Sequence, residues 1–249
     1  MVSYEALREA FDRDGFVQIP GFLSAEEADD LEAHVEAYIR DVVPTLPKSV
    51  AMYEDYSRPE TLKQVAIPYD GYPYFLRFRE RRAADLARQL LRDEVVPRQT
   101  EFFCKPPGVG TPTPPHQDGF YFCLTPNEAL TVWVALDDMD EENGTLLYVA
   151  GSHQKGLISH AASGVLGFSQ GLAGARLSDF GREVTCRVRR GDALVHHSLT
   201  IHAAQGNTSA RKRRAVGCVY YAKRAQTDPE QQRRYEESLE RQRWAAGVL

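Results

Sequence analysis

His116 and Asp118, in the stretch Pro115-His116-Gln117-Asp118, are the first side chains through which this sequence can do chemistry. In an extended segment residues i and i+2 point the same way, so an imidazole and a carboxylate can aim at one point. A distant histidine can then complete a three-ligand face on a metal. Two histidines and a carboxylate on one face leave the other positions open, which is the facial arrangement of Fe(II) oxygenases, where O2 and an organic co-substrate bind together. Alone, the His-x-Asp pair is a weak signal among seven histidines, and a capped turn explains it equally well. The C-terminal half strengthens it. Gly191-Asp192-Ala193-Leu194-Val195-His196-His197 leads into Ile201-His202, then Asn207 and Arg213. A histidine on a core strand, followed 11 positions later by an arginine on the next strand, suits a metal ligand and an anchor for a keto acid's far carboxylate. Arginine gives such a carboxylate a two-pronged, permanently charged grip. His196 and His197 compete with His202 for the ligand role. Strand alternation turns Arg214 away from Arg213 but leaves Arg211 on the same face.

The elements that must position these groups fall into two halves. Residues 3–13 are expected to be helical, with Ser3 as N-cap and Leu7, Ala10 and Phe11 on one face. Asp14-Gly15 is a turn signal, and Phe16-Val17-Gln18-Ile19 reads as a strand. Ser24 and Glu27 form a capping box ahead of Ala28, Leu31, Val35, Tyr38, Ile39 and Val42 at helical spacing. Residues 44–78 read as irregular and rich in Tyr and Pro, and a third helix is expected at about 80–92. Strand-like runs follow at 99–105, 130–137, 145–149, 184–189, 192–197 and 214–222. Residues 154–183 carry Gly, Ser and His without periodicity and read as a long loop; a loop of that length is usually functional, often a lid. The segment from Asp228-Pro229 to about Ala246 reads as a charged, solvated helix, with a subunit contact as the sharper alternative. Helices first and short strands after point to a mainly β (α+β) fold, a sandwich or barrel core buttressed by N-terminal helices.

Composition narrows the setting. With 249 residues, 43% of them hydrophobic, and neither repeat nor linker, residues 1–249 are expected to form one domain around one sizeable core. A formal charge of −5 gives no electrostatic reason to expect a nucleic-acid partner. The run Arg211-Lys212-Arg213-Arg214 lies inside a strand-like segment and is not read as a targeting signal. The four cysteines form no CxxC and read as buried thiols of a cytoplasmic protein. No apolar stretch approaches the roughly 18 residues of a membrane span, and Met1-Val2-Ser3-Tyr4-Glu5 does not resemble a secretory signal.

Several motifs, in order, resemble the phytanoyl-CoA dioxygenase family of double-stranded β-helix oxygenases. They are Lys105-Pro106-Pro107-Gly108, His116-Gln117-Asp118, Trp133 through Asp138, Glu142-Asn143-Gly144-Thr145-Leu146, Gly151-Ser152-His153, Gly191-Asp192, and His202 with Asn207 and Arg213. The similarity runs from Asp14-Gly15-Phe16-Val17 to about Tyr221. It implies a jelly roll (cupin-like) with N-terminal helices, Fe(II), 2-oxoglutarate and O2 as cofactors, and hydroxylation of a small molecule with release of succinate and CO2. It implies His116, Asp118 and His202 as metal ligands, Arg213 as the 2-oxoglutarate grip, Trp133 beside that co-substrate and Lys63 as a helper lysine. Ala204 departs from the family's hydroxyl residue two positions after the distal ligand, which puts one hydrogen bond to the co-substrate in doubt, and Ala150 replaces the usual Pro before Gly-Ser-His.

Each assignment has a plainer reading. His196 and His197 can be core packing, His153 a turn-ordering residue, and His34 and His160 surface histidines. Trp133 can be ordinary core. Tyr69, Tyr72 and Tyr74 suit loop packing better than a substrate cage, and Phe120 and Tyr121 are the better substrate-wall candidates. A halogenase of this family would lack the metal carboxylate, and Asp118 argues against it. A cupin-type metal enzyme not using 2-oxoglutarate would not need Arg213 or Trp133. A non-catalytic binding jelly roll should have lost a ligand.

Overall fold

Ser3 and Ser24 open the first two helices in the way their side chains allow. Ser3 accepts from the Ala6 amide at the start of α1 (Tyr4–Asp14), and Ser24 and Glu27 form a reciprocal capping box at the start of α2 (Ala25–Asp41). The apolar stripes Leu7/Phe11 and Ala28/Leu31/Val35/Tyr38 are buried. Between the helices lies β1 (Phe16–Ile19). The computed structural model describes residues 3–48, 50–68, 72–165, 167–172 and 174–245.

The stretch 44–78, expected to be irregular, instead supplies β2 (Ala51–Tyr53), β3 (Leu62–Ala66) and the start of α3 (Pro73–Glu80). The third helix is two: α3 and α4 (Arg82–Leu91), broken at Arg81, whose φ of −99° and ψ of −125° leave helical space. Then follow β4 (Val95–Lys105), β5 (Thr113–His116), α5 (Gly119–Phe122), β6 (Leu124–Thr125), β7 (Ala129–Ala135), β8 (Leu146–Val149), β9 (Ala161–Val165), β10 (Phe168–Gly171), β11 (Glu183–Thr185), β12 (Ala193–His197), β13 (His202–Ala204), β14 (Arg213–Ala222), β15 (Gln226–Thr227) and α6 (Pro229–Ala245). The expected long loop at 154–183 therefore contains an antiparallel hairpin, β9–β10. No alternation revealed that hairpin or β5, because Ala-Ala-Ser-Gly-Val and Thr-Pro-Pro-His carry no period-2 pattern.

Seven strands form one antiparallel sheet in the order β1-β12-β7-β14-β4-β3-β2, and four form a second in the order β11-β8-β13-β5. Alternation along β7 assigns the two faces of the large sheet. Leu130, Val132 and Val134 join the core shared with α1, α2 and α4, while Trp133 and Ala135 join a second core with Leu146, Tyr148 and Ala204 of the small sheet. The double-stranded β-helix with buttressing helices expected from the sequence is the fold observed.

One turn ties the helical layer to the segment that leads into β13. Gly15 ends α1 at φ +80°, its carbonyl accepts from His197 N (2.8 Å) and from Thr200 Oγ1 (2.7 Å), and a Cβ there would fall 2.4 Å from His153 Nδ1. Gly15→Ala combines left-handed strain with this clash, and is expected to cost about 2–4 kcal/mol of stability, read as a lower urea midpoint at unchanged slope.

Candidate metal centre and its cavities

Three side chains from the small sheet and the turn after β5 converge. His116 ends β5, His202 begins β13, and the two are register partners. Each ring's Nδ1 is held by a carbonyl two residues back: His116 by Pro114 O (2.8 Å) and His202 by Thr200 O (3.0 Å). Nδ1–H is thereby the donor, and Nε2 presents a lone pair. Asp118 Oδ1 lies 3.5 Å from His116 Nε2 and 3.6 Å from His202 Nε2. One ligand atom from each of the three residues falls within 4.8 Å of the others. Two imidazole nitrogens and one carboxylate oxygen at this spacing suit a borderline divalent ion such as Fe(II).

The approach of His116 and Asp118 is not the extended i, i+2 geometry expected. Asp118 is helical, with φ −56° and ψ −35°, and caps α5. The intervening Gln117 makes the turn possible. Its fully buried side chain donates to Gly156 O and Leu199 O and accepts from the Ile158 amide, joining the β5 end, the loop before β9 and the approach to β13.

The second carboxylate oxygen of Asp118 is occupied separately. Thr131 Oγ1 donates to Oδ2 at 2.9 Å, and His196 Nε2 donates to it at 3.1 Å while His196 Nδ1 accepts from the buried Tyr148 hydroxyl at 2.9 Å. This corrects the core-packing reading of His196: it orients the carboxylate, and its Nε2 proton is spent on that bond. His197 points to the other face, against Phe11 and His153, and burial lowers its pKa to about 4. Burial disfavours ionisation of Asp118, but His202, His116 and His196 hold its pKa well below the usual range. Burial, aided by repulsion from His116 and His196, holds His202 well below its usual value. Asp118 is thus held as the anion and His202 as the neutral imidazole, the forms in which these two groups bind a metal.

A cavity of about 80 Å³ adjoins these ligands and is also lined by Trp133, Thr113, Leu146 and Arg213. Arg213 begins β14, is buried, donates from Nε to Gly144 O at 3.0 Å, and lies 5.3 Å from the Trp133 ring centroid. Burial lowers its pKa to about 10, which leaves it charged, and no carboxylate pairs with it among the described residues. Its rivals are committed elsewhere: Arg211 is exposed on Asp140, and Arg214 pairs with Asp137, Glu32 and Glu36. Behind Arg213, Lys105 bonds Thr113 Oγ1, and burial, then repulsion from Arg213 and Lys63, pushes its pKa down to about 6.

The phytanoyl-CoA dioxygenase (PhyH) family model matches residues 11–215. The chain belongs to that family. A phytanoyl-CoA dioxygenase of Arabidopsis thaliana is 30% identical over 149 residues, covering 59% of this chain and 50% of that protein. The chain spans half or less of the length of the first curated relatives it matches, with 41% for a domain-containing protein of Danio rerio. Among solved structures, the epimerase SnoN in complex with Fe3+, alpha ketoglutarate and nogalamycin RO is 28% identical, with TM-score 0.71, over 89% of this chain and 84% of that one. The alpha ketoglutarate dependent carbocyclase SnoK is 26% identical, with TM-score 0.72, over 92% and 87%.

Of the residues singled out by the PhyH resemblance, His116, Asp118, His202, Trp133 and Arg213 line one cavity. Lys63 does not line it. It is buried on Thr111 Oγ1 (2.7 Å) and Glu54 (3.5 Å), and burial lowers its pKa. Tyr121 lines a second cavity at the same ligands, with its hydroxyl on Gln170 O, whereas Phe120 stacks on His160 at 4.3 Å and meets Tyr235 of α6 edge-on. His160 is no free surface histidine: its Nε2 accepts from the Gln117 amide, and burial lowers its pKa to about 4. Nor is α6 a plain solvated helix. Gln231 donates to Gly119 O and Phe120 O, and Tyr235 packs on Tyr121. Tyr72 packs against Tyr38, and Tyr74 stacks on the exposed His34, both away from the ligands; Tyr69 and Leu166 lie outside the described residues. Sequence reading missed Gln117, Thr131 and Tyr148, which have no metal-ligand chemistry and matter only through what they touch. Thr131→Val, which deletes one support of Asp118 and no ligand, is expected to weaken Fe(II) or Co(II) binding by roughly 10–100-fold at unchanged fold, measured by metal titration.

Proposed function

We propose that this chain is an Fe(II)- and 2-oxoglutarate-dependent oxygenase that hydroxylates a small molecule. The observation that carries the reading is the convergence of His116, Asp118 and His202 in a cavity that is also lined by Arg213, buried and in no ion pair among the described residues. In this reading the three residues hold the iron. Arg213 fixes the far carboxylate of 2-oxoglutarate, and Trp133 walls it in. When bound, iron and 2-oxoglutarate supply O2 activation, with succinate and CO2 as by-products. The protein's share is positioning. Thr131 and His196 keep one carboxylate oxygen of Asp118 turned to the metal, the Arg213–Trp133 pair orients the keto acid, and the hairpin β9–β10 shields the site. Phe168 of that hairpin lies 5.1 Å from the His116 ring and lines both cavities.

The shared cores of helices and both sheets support one domain over residues 1–249. Four buried free cysteines suit a reducing cytoplasm, and no described helix is long and apolar enough to cross a membrane. Two similar solved structures are named as an epimerase and a carbocyclase, so product analysis is needed beside co-substrate turnover to identify hydroxylation.

Anaerobic addition of Fe(II) and 2-oxoglutarate is expected to produce a weak visible charge-transfer band, and His202→Ala to abolish it. Arg213→Ala should cost roughly 2–5 kcal/mol of 2-oxoglutarate affinity while sparing iron; an undiminished affinity there, with a large loss in Arg211→Ala, moves the anchor to Arg211. Limited proteolysis within 154–183 should slow once iron, 2-oxoglutarate and substrate are bound, and equal cleavage in both states removes the shielding role.

A further inference from the structure

His116 and Asp118, two of the proposed metal ligands, also line a second cavity of about 200 Å³. Its polar groups are of a different kind from those around Arg213. Glu101 of β4 stands in it beside Gln64 and Gln99, and its walls are aromatic: Phe103, Tyr121, Phe122 and Phe168.

The sheet makes the room. Glu101 has Ala66 of β3 and Gly217 of β14 as its register partners, two of the smallest residues available. A Cβ at Gly217 would come 3.0 Å from Phe103 Cε2 and 3.6 Å from Trp133 Cδ1, so even a methyl group would crowd the floor. At its own level in the sheet the carboxylate is therefore flanked only by a methyl group and a bare backbone. The amides of Gln64 and Gln99 lie beside it and favour its ionised form, and no cation pairs with it among the described residues. Gln64 Oε1 is buried without a hydrogen-bond partner. The cavity thus offers a carboxylate and a spare amide oxygen, enclosed by π faces.

We infer that this cavity takes a substrate bearing a protonated amine, with its ammonium on Glu101 and the carbon to be oxidised held toward His116 and Asp118. This rests on the reading of the centre as an iron and 2-oxoglutarate site. An ammonium supplies the donors that Glu101 and Gln64 lack, and aromatic faces attract a cation and not an anion. A carboxylate or phosphate substrate would instead face Glu101, and no Lys or Arg among the described residues lines the cavity to offset it. Desolvation, with repulsion from Asp118, raises the Glu101 pKa to about 7 against the opposing hydrogen bonds of Gln64 and Gln99, so the carboxylate is held at a cost that a bound cation relieves.

The test uses three probes of one shape, cyclohexylmethylammonium, cyclohexylmethanol and cyclohexanecarboxylate, titrated into the full chain loaded anaerobically with Fe(II) and 2-oxoglutarate. The charge-transfer band and the melting temperature are followed. The ammonium is expected to perturb the band and raise the melting temperature at concentrations roughly tenfold or more below those of the alcohol, the difference a charge-assisted hydrogen bond makes, and the carboxylate least. Glu101→Gln, isosteric and uncharged, should keep the band of iron and 2-oxoglutarate but level the ammonium with the alcohol. Equal response to all three probes, preference for the carboxylate, no response to the ammonium at tens of millimolar, or a preference that survives Glu101→Gln overturns the inference. Absence of the band in the unaltered protein before any probe is added would instead strike the iron and 2-oxoglutarate reading on which it rests.

Discussion

Everything at the centre depends on keeping the Asp118 carboxylate ionised in a largely desolvated place. An unpaired charge there would be too costly to keep. The structure resolves this by dividing the group: Oδ2 takes hydrogen bonds from Thr131 and His196, and Oδ1 is left toward His116 and His202. Thr131 is on β7 and His196 on β12, both in the large sheet, while His116 and His202 belong to the small one. The carboxylate can be satisfied only when the two sheets face each other. Closing the jelly roll and forming the candidate metal site are in that sense one event.

The same closure separates two chemistries by strand alternation. Arg213, Ala215, Gly217 and Val219 fall on one face of β14, and Gln99, Glu101, Phe103 and Lys105 on one face of β4. Along these inward rows the cation Arg213, with Lys105 as its register partner, lies at one end and the acceptors Glu101 and Gln99 at the other. A dianionic co-substrate and a donor-bearing substrate would be sorted by this gradient without any moving part.

Cover comes from segments remote in sequence. Tyr121 bonds Gln170 O on β10, Gln170 reaches Ser238 on α6, and Tyr235 packs on both Phe120 and Tyr121. The hairpin and the last helix thus share one contact with the wall of the second cavity. A helix with so polar a sequence gives no apolar stripe to announce this, because its contact runs through single Tyr, Gln and Ser side chains rather than through a buried face.

What the sequence determined by itself was whatever depends on short range or on residue chemistry. Capping at Ser3 and Ser24, the stripes of α1 and α2, the strands at 130–135 and 193–197, the ligand types and the 11-residue step from His202 to Arg213 all follow from spacing and side-chain type. Hydrophobic periodicity and local hydrogen bonding suffice for these. Tertiary structure decided the rest. Which of three C-terminal histidines faces the ligand point, that Arg211 and Arg214 are consumed by Asp140 and Asp137, that Asp118 turns helical instead of extended, and that Glu101 stands unpaired beside the centre are matters of partner choice. Those partners lie tens to hundreds of residues away along the chain, as Thr131, His196 and Gly217 do, and their effect is electrostatic and steric rather than periodic. Only the packed sheets bring them within the few ångströms over which such forces discriminate.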